Sequence, residues 1–517
     1  MKVPAQGEDN AEVGVSAGRG GLFVLFAKVF FIASGLLQQI FLPRVIGQAN
    51  YGALSIVFAF SNVLNNVVVA ASIQSASRVV VEAKGQHDTA LRAVLRLHIP
   101  MALVLGLTFA GLSPLLARFE HAPSLWMPIA LMALVLTSYA VYAPIVGSLN
   151  GRKAFSRQAL LDVTFATLRT SGLLGLGYFF TRRGMGVHGA ALGVVCAALL
   201  IVPIAWAVSR RGSMPRRAEG SAPTTPYRLD TKVYLRGLLS LALIQLSTNM
   251  LMQIDIILLG RSLSSMGTEA AAHDWVGVYR ACQVFAFLPY QLLFAVTQVL
   301  FPMVATARAQ GDRDLVRVYV ERGARIALLF AGLMVAVMAA LPRGIVGLVF
   351  EATIATRATV TMRILTVGQG AFALLGVTAT VLASLGKEKR GAVATAFALV
   401  LTMVTQFIVV PRFPFGEMQL IVTASLVFGS LILGLGLGWW GVVREVGGFI
   451  PFATTIRVVL AIVATIGAGV VIGPTSKLMT LVYAPVCAMI YLGLLFLTRE
   501  LSSKDLALVR TIAKRKR

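Results

Sequence analysis

A helix needs roughly 20 apolar residues to cross a bilayer. This 517-residue chain supplies about fourteen such runs, at 21–42, 53–77, 93–116, 125–149, 158–180, 186–208, 236–260, 275–301, 324–349, 358–385, 391–410, 417–440, 454–473 and 478–497. Each run is closed by Pro, Gly or charged residues. In lipid every backbone N–H and C=O must be satisfied within its own segment or a closed barrel. Runs of this length therefore predict an all-α polytopic membrane protein. Composition agrees: 57% of residues are apolar and only 13% are charged, against about a quarter charged in soluble domains.

The placement of charge predicts orientation. Lys and Arg crowd alternate connections: Arg78–Arg96, Arg152–Arg157, Arg210–Arg236, Arg308–Arg325, Lys387–Arg390 and Arg499–Arg517. The intervening connections hold few, giving roughly 33 basic residues on one side against 9 on the other. By the positive-inside rule both termini are expected in the cytoplasm. The net charge of +25 is thus mostly topological and calls for no nucleic-acid partner. The terminal "KRKR" adds attraction to anionic lipid.

The expected organisation follows. Residues 1–20 are polar and glycine-rich without a cleavable signal pattern, and read as a disordered cytoplasmic arm. Residues 21–208 make an N-lobe of six spans, 209–235 a cytoplasmic linker, 236–410 and 417–440 a C-lobe of six more, 454–497 two extra helices, and 498–517 a basic tail. The halves echo each other. "VEAKGQHD" (Val81–Asp88) follows span two and "ATARAQGDRD" (Ala305–Asp314) follows span eight. "SLNGRKAF" (Ser148–Phe155) follows span four and "SLGKEKRG" (Ser384–Gly391) follows span ten. Six spans per unit predicts a parallel repeat about a pseudo-twofold along the membrane normal, an arrangement in which transporters place substrate between the halves.

Polar residues inside spans cost from about 2.5 kcal/mol upward when charged, so they mark cavities or partners. Span eight carries Arg280, Gln283, Phe287, Gln291, Phe294 and Gln298 on one helical stripe, with Pro289 placed to bend it. Span two carries Asn62, Asn65 and Asn66, and span one Lys28, Gly35 and Gln39, each set on one face. Asp255 and Arg280 fall at similar depth in neighbouring spans, as an ion pair or a gating couple; Asp162 and Arg169 share a face of span five. Arg363 lies in span ten. For Lys28 and Arg363, snorkelling to the membrane surface competes with cavity lining. Interhelical hydrogen bonding competes for the amides. Four basic residues against two acids inside the spans suits an anion, because Arg and Lys bind phosphate well. The expected cavity set is Lys28, Gln39, Asn62, Asn65, Asn66, Arg169, Arg280, Gln283, Gln291 and Arg363, with Asp255 and Asp162 for gating or ion coupling.

No Walker lysine motif, no metal-ligand spacing and no nucleophile–base pair appears, so neither a cofactor nor catalysis is expected. The three cysteines, Cys196, Cys282 and Cys487, sit in apolar runs and read as core.

"GLLQQIFLPRVIGQANYGALSIVFAFSNVLNNVVVAASIQSASRVVVEAKG" (Gly35–Gly85) resembles the opening of the polysaccharide-type (Wzx-type) flippases of the MOP superfamily, through Pro43-Arg44-x-x-Gly47 and Tyr51-Gly52. "IDIILLG" (Ile254–Gly260), "VGVYRAC" (Val276–Cys282), "LFPMVATARAQGD" (Leu300–Asp312) and Gly386 with Lys387 and Lys389 agree. The resemblance implies two six-helix lobes around a cavity that alternates access. It implies a cargo of undecaprenyl-diphosphate-linked oligosaccharide moved to the periplasmic leaflet without ATP. Membrane lipids and the polysaccharide polymerase and assembly proteins are the partners it implies. A MOP-type ion-coupled small-molecule antiporter and a lipid II flippase are the alternatives.

Overall fold

The computed structural model describes residues 6–83, 85–210, 227–473 and 475–501. The described residues form eighteen α-helices and two short 3-10 turns. In chain order these are α1 (Gln6–Ile46), α2 (Gln48–Glu82), α3 (His87–Phe119), α4 (Trp126–Gly151), α5 (Phe155–Thr181), α6 (Gly186–Arg210), α7 (Thr231–Leu251), α8 (Ile254–Met266) and α9 (Glu269–Ala286). They continue with α10 (Leu288–Ala309), α11 (Arg313–Ala340), α12 (Pro342–Val349), α13 (Ala352–Arg357), α14 (Thr359–Ser384), α15 (Glu388–Val409), α16 (Glu417–Val446), α17 (Phe452–Ile472) and α18 (Lys477–Leu497). Thirteen stretches are long and apolar enough to span a membrane, and the broken pair α7–α8 makes fourteen. The fold is the all-α polytopic class that the apolar runs predict.

Several expectations are corrected. α1 is helical from Gln6, so most of the segment expected as a disordered arm is helix; residues 1–5 lie outside the described residues, as do 211–226 of the linker and 502–517 of the tail. The ninth span ends at Ala340, where Leu341 leaves helical geometry and Pro342 opens the short α12. The eighth span runs from Glu269 to Ala309, with a one-residue irregularity at Phe287, two residues before Pro289, across which the helical bonds continue. Cys282 and Cys487 are buried, but Cys196 is exposed.

Packing divides the chain into two compact units: residues up to Gln253 with Thr268–Asp274, and Ile254–Gly267 with the chain from Trp275 onward. The boundary therefore falls inside the seventh span, not in the linker at 209–235. The reason lies in the side chains of α7. Tyr234 and Leu238 are buried with Ala71, Ala76, Val79 and Val80 of α2 and Ala90 and Val94 of α3. The Tyr234 hydroxyl and Nε2 of His98 on α3 are hydrogen-bonded at 2.7 Å. Asp230 caps α7, accepting from the N–H groups of Lys232 and Val233.

Within the first unit α4 packs on α2 and α3, and α5 on α1 and α6. At the α5–α6 crossing a Cβ on Gly193 would lie 2.0 Å from the Gly172 carbonyl oxygen, the close approach that small residues permit between membrane helices. Within the second unit α14 packs on α16, α10 and α11, and α17 and α18 join α11. The two extra helices have a polar tether. Glu500, 3% exposed, accepts from Arg325 of α11 at 2.8 Å, Arg457 of α17 at 2.9 Å and Thr454 at 2.9 Å. Burial raises the Glu500 pKa, but the bonds from Arg457, Arg325 and Thr454 outweigh it and hold the carboxyl below its ordinary range.

The sequence echoes map onto matching turns. Gly85, between α2 and α3, and Gly311, between α10 and α11, both adopt positive φ, 94° and 75°. Lys153, between α4 and α5, and Gly386, between α14 and α15, do the same at 55° and 65°. A left-handed residue ends each helix at the same step of either half.

Candidate functional site

In the first unit, the apolar faces of α1, α2, α4, α5 and α6 leave a cavity of about 150 Å³. Its polar lining is Asn62, Asn65 and Asn66 of α2, Tyr139 and Tyr142 of α4, and Arg169 of α5. The asparagines reach it together because positions i, i+3 and i+4 share one helical face. The guanidinium carbon of Arg169 lies 6.0 Å from the centre of the Phe58 ring, within cation–π range. The ring of Tyr139 meets Phe165 edge-on at 5.4 Å.

Four buried polar atoms of this lining have no protein hydrogen-bond partner: Oδ1 of Asn65, the hydroxyls of Tyr139 and Tyr142, and Nε of Arg169. A buried polar group without a partner costs about 1–3 kcal/mol. All four belong to side chains that line the cavity. One guanidinium, three amides and two phenols together can hold an anion and several hydroxyls.

Lys28 and Asp162 do not line this cavity. Nζ of Lys28 lies 3.4 Å from Oδ2 of Asp162, an ion pair joining α1 to α5. Asp162 thus meets Lys28 rather than Arg169, its expected neighbour on the same face. Gln39 accepts from the Tyr51 hydroxyl at 2.6 Å and ties α1 to the start of α2.

The second unit holds a different polar cluster. Asp255 is the second residue of α8 and is 2% exposed. Its Oδ2 accepts from the Tyr279 hydroxyl at 2.8 Å and from Nε2 of Gln283 at 2.9 Å, and its Oδ1 from the Ile256 N–H at 2.9 Å. Nη1 of Arg280 donates to Oε1 of Gln283 at 3.0 Å. The direct Asp255–Arg280 pair expected from depth is replaced by a relay through Gln283. Tyr279, fully buried, is a member that sequence reasoning missed; it lies one helical turn before Gln283 on the same face.

Gln291 and Gln298 lie beyond Phe287, on α10. The two ends of the polar stripe differ in partners: Arg280 and Gln283 join the Asp255 network, and the two later glutamines are exposed. Arg363 is elsewhere again. Its Nε donates to the Ala339 carbonyl at 2.9 Å, and it lines a second cavity with Arg343. Among the described residues no group of three His, Cys, Asp or Glu side chains is placed to hold a metal ion.

A family model described as "Polysaccharide biosynthesis protein" matches residues 41–355, more than half of the chain. No curated protein matches the sequence. Among solved structures, the fold is similar to a lipid II flippase, MurJ, in an inward closed conformation: 14% identity, TM-score 0.71, covering 93% of this chain and 99% of that one. It is also similar to a multidrug resistance MATE family transporter of the MOP superfamily. The inward-facing form gives 14% identity and TM-score 0.62, over 81% of this chain and 94% of that one. The outward-facing form gives 15% identity and TM-score 0.58, over 83% and 95%. These relatives are transporters and flippases, not enzymes.

Proposed function

The chain belongs to the polysaccharide biosynthesis protein family; from that premise we propose that it is a flippase of the MOP superfamily whose cargo is an undecaprenyl-diphosphate-linked oligosaccharide. It carries this cargo from the cytoplasmic to the periplasmic leaflet of the bacterial inner membrane, by alternating access and without ATP, for cell-surface polysaccharide synthesis. Both termini face the cytoplasm. The observation that carries this reading is the first-unit cavity. Arg169 offers a planar cationic fork to a phosphate oxygen, and Asn62, Asn65, Asn66, Tyr139 and Tyr142 offer amides and phenols to glycan hydroxyls. Desolvating a diphosphate is costly unless charge-assisted bonds replace its water, and the Arg169 guanidinium is the charged donor of this lining.

In this reading the Asp255 network acts on gating or ion coupling rather than on cargo. Its carboxylate is already filled by three donors, so it has little left for a sugar. Lys28–Asp162 and Gln39–Tyr51 hold α1 in place beside the cavity.

A second reading is an ion-coupled small-molecule antiporter or a lipid II flippase. Its support is the fold similarity to the lipid II flippase and to the MATE transporters, together with a buried membrane carboxylate, Asp255. One experiment separates these. Purified protein in vesicles is given fluorescent undecaprenyl-diphosphate glycan, lipid II or a cationic dye, and transfer between leaflets or into the lumen is scored. Transfer of the polyprenyl-linked glycan above lipid II is the expected result. Dye export with no movement of either lipid would overturn the proposal in favour of the antiporter.

A further inference from the structure

The second unit contains a cavity of about 360 Å³ where the ends of α11 and α17 meet the starts of α12 and α14. It is lined by Arg343, Arg363, Thr356, Thr359, Thr475 and Val470, among others. Its charge is one-sided. Several other basic residues of this unit meet acids: Arg325 and Arg457 meet Glu500, Arg390 and Lys387 meet Glu445, and Arg317 meets Glu321. Among the described residues neither Arg343 nor Arg363 has a carboxylate partner, and Arg363 bonds only a carbonyl, through Nε. The first turn of α12 opens beside them with no side-chain cap, so backbone N–H groups add to the positive field.

The threonine hydroxyls do not compete for an anion. Thr356 and Thr359 donate to backbone carbonyls one turn earlier, and Thr475 is bonded with Thr480. The hydrogen-bonding capacity left in the cavity belongs to the two guanidinium groups and the start of α12. That set fits the tetrahedral oxygens of a phosphate.

The rim indicates what carries the phosphate. Val470 lines the cavity and is exposed, and Val459 and Val463 are exposed on the same stripe of α17. α17 is a membrane span, so this stripe faces acyl chains. A soluble anion would gain nothing from it; a lipid gains contact along its tail.

We propose that this cavity is a headgroup site for an anionic phospholipid of the bilayer, its phosphate held by Arg343 and Arg363 and its acyl chain laid along Val470, Val463 and Val459 of α17. The site takes bulk lipid rather than the transported cargo, and it stands whichever cargo reading is correct. An occupied site fastens α17 to α12 and α14, which makes the second unit sensitive to membrane composition.

The test uses full-length protein purified in a nonionic detergent and titrated with phosphatidylglycerol, followed by native mass spectrometry and by thermal melting. Wild type is expected to retain one phosphatidylglycerol more than R343Q/R363Q and to bind it at least tenfold more tightly. R343Q alone removes no protein contact, so it folds as wild type does and is expected to weaken binding at least threefold. V470W keeps both arginines and obstructs the tail, and is also expected to weaken binding. Equal retention of phosphatidylglycerol by wild type and R343Q would overturn the site. Three other outcomes would overturn the lipid assignment: complete displacement by millimolar inorganic phosphate, binding of V470W as tight as wild type, or displacement by equimolar undecaprenyl-diphosphate glycan, which would make it a cargo site.

Discussion

The two units carry similar polar groups inside the membrane and use them in opposite ways. In the first unit, Arg169, Asn65, Tyr139 and Tyr142 border a cavity, each with a polar atom that no protein group satisfies. In the second, Asp255, Tyr279, Gln283 and Arg280 satisfy one another within hydrogen-bond distance. A closed network gives rigidity and a defined arrangement. An open set holds capacity for something that is not protein. The echoing turns argue that the halves share an origin in sequence. On the proposed reading, the first-unit cavity serves recognition and the Asp255 network serves gating.

The largest expected effect breaks the closed network. Asp255→Ala removes the acceptor from the Tyr279 hydroxyl and the Gln283 amide at once. Each stranded donor costs about 1–3 kcal/mol, so melting should report a loss of about 2–6 kcal/mol. Asp255→Asn keeps an acceptor and should cost less than half of that. Equal stability of wild type and Asp255→Ala would mean the network contributes no rigidity. Arg169→Gln is the matching change in the open set. Its Nε has no protein partner and the contact it loses is the cation–π one with Phe58, so stability should fall by no more than about 1 kcal/mol. Leaflet transfer of the polyprenyl-linked glycan should fall about tenfold to a hundredfold, the worth of one charge-assisted bond of roughly 1.5–3 kcal/mol. A large melting shift with unchanged transfer would make Arg169 structural.

Much of this was legible from the residues, and the reasons for the rest are physical. The spans follow from bilayer thickness, and Asn62, Asn65 and Asn66 reach one cavity because helical periodicity fixes their face. Counting depth along the helices brought Asp255 to the level of Arg280, but that Gln283 stands between them is set by packing. Tyr139 and Tyr142 were not legible, since a tyrosine in an apolar run looks like any core aromatic until its hydroxyl is seen without a partner. Lys28 with Asp162 is a pairing of residues far apart in sequence, which only packing reveals. The allegiance of α7 to the first unit was hidden for the same reason: Tyr234 and Leu238 look like ordinary span residues, and the polar linker before them is the more conspicuous boundary. The irregularity at Phe287 had a signal in Pro289, yet a stripe drawn at constant period runs straight through it.

The Glu500 clasp is a second closed network in this unit, made of charge beyond the last span. Glu500→Gln should cost about 1 kcal/mol, discounted because Arg325 and Arg457 are 34% and 40% exposed. The pH dependence has a definite sign. The folded carboxyl titrates below its ordinary value of 4.5, so its contribution is complete above that pH and is lost as pH falls through the lowered folded value. Wild type should therefore melt above Glu500→Gln at pH 7, and the gap should close on acidification below about 4.5. A gap that stays constant down to pH 3 would mean that the carboxylate charge is not what holds α17 and α18.

The sharpest comparison removes the same atom from both units. Tyr279→Phe deletes a donor to Asp255 and should lower stability by about 1 kcal/mol. Tyr142→Phe deletes a hydroxyl with no protein partner, so the melting point should stay within error or rise slightly. If that hydroxyl meets cargo, transfer should nevertheless fall several-fold, the worth of one neutral hydrogen bond of roughly 0.5–1.5 kcal/mol. Transfer assays and melting curves on the two variants should thus show opposite patterns. If Tyr142→Phe lowered stability and left transfer intact, its hydroxyl would be serving the fold, and the first-unit cavity would lose its claim to the cargo.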